Sequence, residues 1–325
     1  MRSKTLLIAI LVFSLLAASC GSRDSSHADV GFTPDEVCAL GPLSLTRDGA
    51  VYLYGSMAAS SASSYGAAVG EGEAERAAYE QWLLTTLMPE EFSALAALNV
   101  IAAEEGLSLS NRDDSAIRAV ITEDIVLTLD DGSFYTVPKE TVWQLLKAYR
   151  LADMAIARLS ENISISVSDD EVRVISIRQL LLADSGEAMG VFTSLEEGEP
   201  FEAVVGMYAG STLRQMTLRR GGEDKVLEDA AFALKTGEYS MPVNCADGWC
   251  ILYCDSEYDP SLTRENRSQL LREARENAWL SRVEETLAGQ VLYRNADLAD
   301  NLVLAEPAAE DSLFALYRRV FPDAG

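Results

Sequence analysis

The chain has 325 residues, of which 51 are acidic and 26 are basic, so its formal net charge is −25 at pH 7. Nucleic acid and anionic lipid headgroups are poor partners for a surface this acidic. The chain has one histidine, His27, and this excludes metal sites and enzymes that depend on several histidines. The length suits about two domains, each with its own hydrophobic core.

Residues 1–19 have the layout of a secretory signal peptide. Arg2 and Lys4 precede an apolar run over residues 6–18, and small residues follow it. The run is shorter than the roughly 20 apolar residues that a helix needs to cross a bilayer. The sequence therefore predicts an exported protein whose signal peptide is removed.

Cys20 ends a stretch, LAASC, that resembles a bacterial lipobox. The resemblance implies that Cys20 is lipidated and anchors the protein to the outer face of the bacterial cytoplasmic membrane, or to another envelope membrane. Ala17 stands where lipoboxes usually have Leu, and the alternative is ordinary signal cleavage with Cys20 incidental. Residues 20–31 are small and polar and include His27, which suits a flexible, lipidated tether.

Residues 32–167 are predicted to form a mainly helical N-terminal lobe. The stretch LSLTRDGAVYLYG suggests a strand pair, and the low-complexity stretch after it, up to residue 74, suggests a linker. Apolar residues then recur at helical spacing over residues 75–88, and Pro89 opens a second helix that Gly106 ends. We therefore expect two helices joined at a proline.

A hairpin and a long helix complete this lobe. Asp131 and Gly132 lie between two β-rich runs in residues 125–137, which is a strong signal for a β-hairpin. After the hairpin, apolar residues again recur at helical spacing up to a polar hinge at residues 160–170. The pattern predicts a domain boundary near residue 168.

Residues 259–290 are predicted to form one more amphipathic helix. Its apolar side suits packing on the N-terminal lobe and contains Leu270, Leu271, Ala274, Leu280, Val283 and Leu287. A helix that returns in this way makes residues 168–258 an inserted domain. Residues 291–325 are interpreted as a tail.

Four stretches of the inserted domain match the pattern of a known family in chain order. They are SIRQLLL at residues 176–182, LEEGEPF at 195–201, LEDAAFALKTGEYSMPV at 227–243 and CADGWCIL at 245–252. Together they resemble the parvulin-type (PpiC or rotamase) peptidyl-prolyl isomerase domain. Its position after a helical segment in an exported chain is similar to that in extracytoplasmic foldases of the PrsA and SurA type.

This resemblance implies an α+β fold. The helical N-terminal lobe, with the C-terminal helix returning to it, is joined to a parvulin-like domain that has a small antiparallel sheet flanked by helices. A solute-binding protein is disfavoured, because the long alternation of strands and helices typical of doubly wound lobes is absent from the sequence.

The polar residues of the implied cleft differ from those of the family. Gln179 and Cys250 stand where parvulins have two histidines, and Cys245 stands at a position for Thr or Ser. Leu227 replaces a cleft Phe, and the loop that follows residue 208 is shortened. The degenerate cleft therefore comprises Gln179, Ser211, Met216, Leu227, Cys245 and Cys250, with no confident catalytic residue.

Besides Cys20 the chain has four cysteines, namely Cys38, Cys245, Cys250 and Cys254. An even number in an exported chain permits disulfides, and Cys245 with Cys250 is the candidate pair. The alternative is two free, buried thiols that act as small apolar side chains. The spacing lacks the paired CxxC of structural zinc sites, so neither a metal nor a cofactor is expected.

The expected function is that of a membrane-anchored folding factor that binds unfolded or nascent exported polypeptides, including segments with proline. A catalyst of X-Pro isomerisation lowers a barrier of about 18–20 kcal/mol without breaking a bond, and the altered cleft predicts weak or lost activity. An apolar groove around Leu227 can still bind peptides by burial. Two alternatives stay open: an active isomerase with a non-standard cleft, and an assembly lipoprotein that uses the fold for docking.

Overall fold

The structure is a computed structural model, and it describes residues 33–65, 73–129, 131–162, 165–208, 211–222, 224–299, 301–303 and 305–322. The predictions for residues 1–19, for the tether at 20–31 and for Cys20 therefore lie outside the described residues. In the described segments, no helix combines the length and the hydrophobicity that a membrane crossing requires.

The chain divides into two compact units. The described residues within 1–163 and 278–325 form the first, which we call the helix-rich unit, and those within 164–277 form the second, the sheet unit. The predicted α+β class is confirmed, since long helices occur with small antiparallel sheets.

The helix-rich unit begins with a hairpin and continues mainly as helices. Its elements are β1 (Glu36–Leu40), β2 (Leu43–Thr46), α1 (Arg47–Tyr65), α2 (Glu73–Trp82), a π-helical turn (Leu83–Leu87), α3 (Met88–Glu104), α4 (Asn111–Val120), β3 (Ile125–Leu129), β4 (Phe134–Val137) and α5 (Lys139–Asn162). The elements near its C-terminal end are β9 (Tyr293–Arg294), α11 (Ala296–Ala299), β10 (Ala305–Pro307), a 3-10 turn (Ala309–Asp311) and α12 (Leu313–Val320). The strands form two antiparallel sheets of order β2-β1-β9 and β10-β3-β4.

The predicted strand pair in LSLTRDGAVYLYG is wrong in its second half. Residues 43–46 form β2, which pairs with the upstream β1, but the rest of the stretch begins helix α1. Val51, Tyr52, Leu53 and Tyr54 are all buried, so this helix is covered on every side. A short apolar run bounded by polar residues suits a buried helix as well as a strand, and here tertiary burial decides.

Pro89 lies in the first turn of α3, where a missing N–H leaves no helical bond unmade. The chain does not turn there, however. Trp82 and Leu87 keep helical backbone angles, so α2, the π-helical turn and α3 follow one another without a loop. The widened turn just before the proline is a common way for a helix to absorb a backbone irregularity.

Helix α3 is the centre of the helix-rich core. Most of its side chains are buried, and it packs on α5. Asn99, in the middle of α3, donates from Nδ2 to the carbonyl oxygen of Leu95 at 2.8 Å and to that of Ala148 on α5 at 3.0 Å. A buried polar side chain thus joins the two helices with both hydrogen bonds made.

The prediction that residues 291–325 form a tail is wrong, because the described part of this segment belongs to the fold. β9 pairs with β1, and β10 pairs with β3. Leu313, Phe314, Leu316 and Tyr317 of α12 are buried in the helix-rich core. The apolar spacing of LFALYRRV fits an amphipathic helix, and burial of that face explains why the segment folds back.

β10 can lie against α1 because residue 55 is a glycine. A Cβ on Gly55 would stand 2.0 Å from the carbonyl oxygen of Ala305, a distance that no side chain tolerates. The absence of a side chain therefore permits the close backbone approach.

The sheet unit alternates short helices with four antiparallel strands. Its elements are α6 (Asp169–Val172), β5 (Ile175–Leu182), α7 (Ser185–Glu196), α8 (Phe201–Met207), β6 (Thr212–Leu218), α9 (Lys225–Phe232), β7 (Val243–Cys245) and β8 (Gly248–Ser256). The strand order is β6-β5-β8-β7. One face of the sheet packs against α9 and the other against α7 and α8, and we call them the α9 face and the α7/α8 face.

The helix predicted at residues 259–290 is α10 (Pro260–Ala288), and the two units divide it. Its first part belongs to the sheet unit, where Thr263 Oγ1 accepts from the N–H of Val174 and Asn266 Nδ2 donates to the carbonyl oxygen of Val172. Trp279, Leu280 and Val283 lie in the helix-rich core. The expectation that the whole helix packs on the N-terminal lobe is therefore wrong for residues 260–277, because its polar side chains there bond to the sheet unit.

Candidate functional site

Gln179 lies on the α9 face of the central strand β5. Successive side chains of a strand point to opposite faces, so Gln179 shares its face with Ile177 and Leu181. The Gln179 side chain is 0% exposed. A buried amide among apolar residues is unusual enough to mark this position as the centre of the candidate site.

Cys245 and Cys250 lie beside Gln179 on a tight hairpin. Strands β7 and β8 are joined at Ala246 and Asp247, and Gly248 has φ +112°, which favours glycine. The Sγ atoms of the two cysteines are 3.8 Å apart, and Gln179 Nε2 donates to Cys245 Sγ at 3.7 Å. The structure thus brings together three of the predicted site residues.

Both cysteines are free thiols in the structure. Their separation fits a weak S–H to S contact and is far longer than the roughly 2.05 Å of a disulfide bond. Cys245 Sγ also contacts the carbonyl oxygen of Gly248 at 3.3 Å. The predicted pairing of Cys245 with Cys250 stays a prediction.

The environment of Cys250 suppresses its reactivity. Burial, and then the neighbouring Cys245, raise the pKa of the Cys250 thiol to about 12. The thiolate is the nucleophilic form, so Cys250 is almost entirely protonated at neutral pH and reacts slowly. Cys245 is half-buried, whereas Cys250 is 0% exposed, so a reagent in solution reaches Cys245 first.

Leu227 and Met216 form an apolar floor next to these polar groups. Leu227, near the start of α9, is 3% exposed, and Met216 on β6 is half-buried against the same cluster. Gln179, Leu227 and Met216 therefore lie on one face of the sheet. The floor is already packed from within, so a peptide can reach it only from its rim.

Asp224 fixes the position of the floor, and the sequence interpretation missed it. Its Oδ1 accepts from the N–H groups of Val226 and Leu227 at 2.8 and 3.1 Å, which caps α9. Its Oδ2 accepts from the N–H of Ala246 in the β7–β8 turn at 2.9 Å. These bonds, with that of Ala246 the strongest, lower the pKa of the Asp224 carboxyl. An Asp before an apolar helix is a known capping signal and could have revealed the residue.

An ion pair forms the outer rim of the same face. Arg214 Nη1 lies 2.7 Å from Asp247 Oδ2, and both side chains are about half exposed. Arg214 is paired with Gln179 across β5 and β6, so the ion pair lies directly over the polar centre of the site. Exposed pairs of this kind contribute about 0–1 kcal/mol to stability. The main effect of the Arg214–Asp247 pair is therefore to place charged groups at the rim of the site.

The Ser211 side chain makes no described hydrogen bond to the other site residues. Its Oγ donates to the carbonyl oxygen of Tyr208 at 2.7 Å, so the hydroxyl is used in the turn after α8. Tyr208 itself packs in the cluster of the α7/α8 face. Ser211 therefore has a structural role at the start of β6.

The arrangement combines hydrogen-bonding groups with two carboxylates, Asp224 and Asp247, that are already bonded within the site. Gln179 can donate and accept, and its Oε1 has no hydrogen-bond partner among the described residues. The same segments contain no group of three His, Cys, Asp or Glu residues placed to hold a metal ion. The described residues can therefore offer a ligand hydrogen bonds, apolar contacts and the charges of Arg214 and Asp247.

No protein-family model matches the chain, and no curated protein matches it. The chain is similar to the peptidylprolyl isomerase PrsA from Bacillus cereus, with 18% identity and a TM-score of 0.31 over 55% of this chain and 69% of that one. For PrsA from Bacillus anthracis the identity is 16% and the TM-score 0.28, over 61% and 96% of the two chains. A solved structure from work on two SurA-like chaperones of Campylobacter jejuni, PEB4 and Cj1289, gives 12% and 0.23, over 80% and 99%. Values this low carry no functional argument.

Proposed function

We propose that the protein is an exported, lipid-anchored folding factor of the parvulin type, which binds unfolded or proline-containing segments of other exported chains. Its isomerase activity is weak or absent. The observation that carries the proposal is the composition of the polar centre, where Gln179 is buried and Cys250 is buried with a raised pKa. By the sequence resemblance, these two residues stand where the family has its histidines.

The absence of isomerase activity follows from what this centre can do. Catalysis of X-Pro rotation requires groups that bind the twisted amide more strongly than the planar one. Gln179 and Cys250 are both 0% exposed, so neither reaches a bound peptide without rearrangement of the sheet. The exposed part of the site is a half-buried Met216 with the Arg214–Asp247 ion pair, which suits peptide binding by apolar contact.

The anchor is part of the same proposal and depends on Cys20. A folding factor that is fixed beside the site of export meets chains before they fold, and the polar tether at residues 20–31 gives it reach. Replacing Cys20 with Ala should release the protein from the membrane fraction of the cells that make it, and retention of the variant there would contradict lipidation.

The decisive experiment measures prolyl isomerisation and aggregation with the same preparation. We expect the wild-type chain without its signal peptide to isomerise a series of short proline peptides no faster than buffer does. We also expect it to suppress aggregation of a chemically unfolded, reduced test protein. Circular dichroism of each variant confirms that it is folded.

Two variants give the controls. The double variant Gln179→His/Cys250→His restores the family's pair and tests whether those positions limit the rate. Leu227→Ala opens the apolar floor without touching the polar groups. A clear wild-type rate that Leu227→Ala removes would overturn the proposal and make this an isomerase that works without histidines. A chain that neither isomerises nor prevents aggregation, and instead captures one partner in fixed proportion, would favour an assembly protein.

A further inference from the structure

β6 is the edge strand of the sheet unit and its outer side is open. The strand order β6-β5-β8-β7 gives β6 one neighbour, β5, over Thr212–Leu218. Residues 212–215 and 217 are exposed, and within the described part of the sheet unit no hydrogen bond reaches the outer side of the strand. An open edge presents unpaired backbone groups.

The register of the sheet shows which backbone groups these are. Cys254 accepts from the N–H of Gly237 and donates to the carbonyl oxygen of Glu238, at 2.8 and 2.9 Å, and the N–H of Ser240 bonds to the carbonyl oxygen of Leu252. Cys254 and Leu252 therefore direct their backbone groups away from β5. Backbone direction alternates along a strand, so Tyr253 of β8 directs its groups toward β5.

The directions of the backbone groups on β6 follow from the same alternation along the central strand β5. Arg178 is opposite Tyr253 and bonds to β8, so its neighbour Gln179 bonds to β6. Gln179 is opposite Arg214, which therefore bonds to β5. On β6 the outward N–H and C=O groups consequently belong to the residues between the bonded ones, namely Leu213, Gln215 and Thr217.

We propose that this edge binds an extended polypeptide segment as an added fifth strand. The inference rests on the proposed function, and it names the backbone of the client as the group that is recognised. Three N–H and three C=O groups repeat along β6 every second residue, at about 6.8 Å, and an extended peptide carries donors and acceptors at the same repeat. Recognition through the backbone is independent of sequence, which suits a protein that must bind many unfolded chains.

Charge favours a client segment over a second copy of this chain. Two copies would each bring a net charge of −25, and their repulsion opposes pairing of β6 with β6. Acidic side chains also outnumber basic ones in residues 164–277. An extended segment that is neutral or basic meets no such repulsion, so we take a basic, extended segment as the occupant.

Side chains next to the edge offer an added strand one apolar neighbour on each face of the sheet. Leu213 is 43% exposed and lies on the α7/α8 face of the strand, while Met216 lies half-buried on the α9 face. Side chains of an added strand would alternate between these two faces. Apolar residues at successive positions can therefore each find an apolar neighbour on β6.

The test blocks the edge without disturbing the sheet. Gln215→Pro removes one outward N–H and fills the space beside it, but it leaves every β5–β6 hydrogen bond in place, because residue 215 bonds outward. Gln215→Ala is the matched control, since it changes the side chain and keeps the N–H. The probe is a fluorescein-labelled, ten-residue peptide of alternating valine and lysine, measured with the full mature chain by fluorescence anisotropy.

We expect Gln215→Pro to raise the dissociation constant about tenfold or more, and Gln215→Ala to change it less than about twofold. A second probe, the same peptide with N-methyl groups on alternate residues, should bind the wild type at least about tenfold more weakly, because one edge of its backbone is blocked. Binding by Gln215→Pro or of the methylated peptide at wild-type strength would overturn the inference.

Hydrogen exchange of the wild-type chain keeps the test valid if Gln215→Pro does not fold. Peptide binding should protect the amides of Leu213, Gln215 and Thr217, while those of Arg214 and Met216, already bonded to β5, should not change. Protection elsewhere only would overturn the inference. Failure of the proposed function would give a different result. The wild type would then not suppress aggregation, whether or not the amides of β6 are protected.

Discussion

Glu91 in the helix-rich unit and Gln179 in the sheet unit are two buried polar side chains with the same defect. Each has one carbonyl or carboxyl oxygen, Glu91 Oε2 and Gln179 Oε1, without a hydrogen-bond partner among the described residues. Glu91 is 2% exposed, and its other oxygen accepts from the hydroxyl of Tyr149 at 2.8 Å. Gln179 is 0% exposed and donates only to a sulfur, a weak acceptor.

The two defects differ because one group ionises and the other does not. Burial raises the pKa of the Glu91 carboxyl to about 7, although the hydroxyl of Tyr149 acts in the opposite direction. The helix-rich unit therefore carries a destabilisation that depends on pH. The amide of Gln179 is neutral at every pH, so the sheet unit carries a constant one. The first defect can be switched by a proton, and the second can be changed only by altering the side chain or its neighbours.

The largest expected effect is that of Glu91→Gln. The folded-state pKa of Glu91 lies above its value of 4.5 in an unfolded chain, so the contribution of this one group to stability is most favourable below about pH 4.5. That contribution falls as the pH rises from there through about 7, by about 3 kcal/mol in total. Glu91→Gln removes that loss, since its neutral amide can still accept from Tyr149. We expect the variant to be more stable than wild type at pH 8 and similar to it at pH 4.5.

Urea unfolding at a series of pH values measures this difference. The exposed Glu105→Gln in the same part of the chain is the control for loss of one negative charge. Equal pH dependence of wild type and Glu91→Gln would show that Glu91 is not the group that titrates, and the comparison with Gln179 would fail.

Gln179→Leu should have a smaller effect with no dependence on pH. Leu has a similar volume, and it removes the unpaired oxygen at the loss of one weak contact with Cys245. We expect a gain in unfolding free energy of about 1–2 kcal/mol that is the same at pH 5 and pH 8. Gln215→Leu on the exposed edge of the same sheet is the matched control. A loss of stability would mean that Gln179 has a bonding role that its contacts do not reveal.

Oxidation of Cys245 and Cys250 should change the neighbourhood of Gln179 with the smallest effect on stability. Oxidised glutathione first forms a mixed disulfide with the more accessible Cys245, releasing one reduced glutathione. Cys250 then displaces the second glutathione thiol, so two thiol protons and two electrons leave the protein. Loop closure over so few residues gives about 2 kcal/mol, and the strain of bringing the two Sγ atoms together from 3.8 Å reduces the expected gain to about 1 kcal/mol.

Mass spectrometry should find the loss of two hydrogen atoms, and Cys245→Ser should prevent it. Peptide mapping identifies the linked pair. If the wild type keeps both thiols while it stays folded in oxidised glutathione, the burial that raises the pKa of Cys250 also blocks the exchange, and the site is fixed in its reduced form.

Local signals in the sequence predicted much of the fold. Strands β3 and β4 flank Gly132, whose φ of +79° is the conformation that the Asp131-Gly132 pair predicts. The helical spacing after residue 138 corresponds to α5. Residues 51–54 were misread because a short apolar run has no period that separates a buried strand from a buried helix. Their burial depends on contacts far along the chain, such as that of the Tyr52 hydroxyl with the carbonyl oxygen of Asp311.

The sequence named several residues that lie together in the candidate site, but it missed Asp224, included Ser211, which bonds elsewhere, and did not reveal the environment of the site. Spacing across a tight turn was enough to place Cys245 near Cys250. The burial of Gln179 depends on its register with both β6 and β8, and the position of the α9 floor depends on the bonds of Asp224 to two segments. Pairing between strands that are distant in the sequence leaves no local signal, so these features required the structure.

The close approach at Gly55 has a consequence for the order in which the chain acquires its structure during synthesis. Residues 164–277 are continuous, so every strand of their sheet has emerged before residues 305–320 are made. The helix-rich core, by contrast, needs β10 against Gly55 and the buried face of α12 at residues 313–320. A nascent chain can therefore complete the inserted sheet first, while part of the apolar surface of the helix-rich core stays uncovered until residues 305–320 are translated.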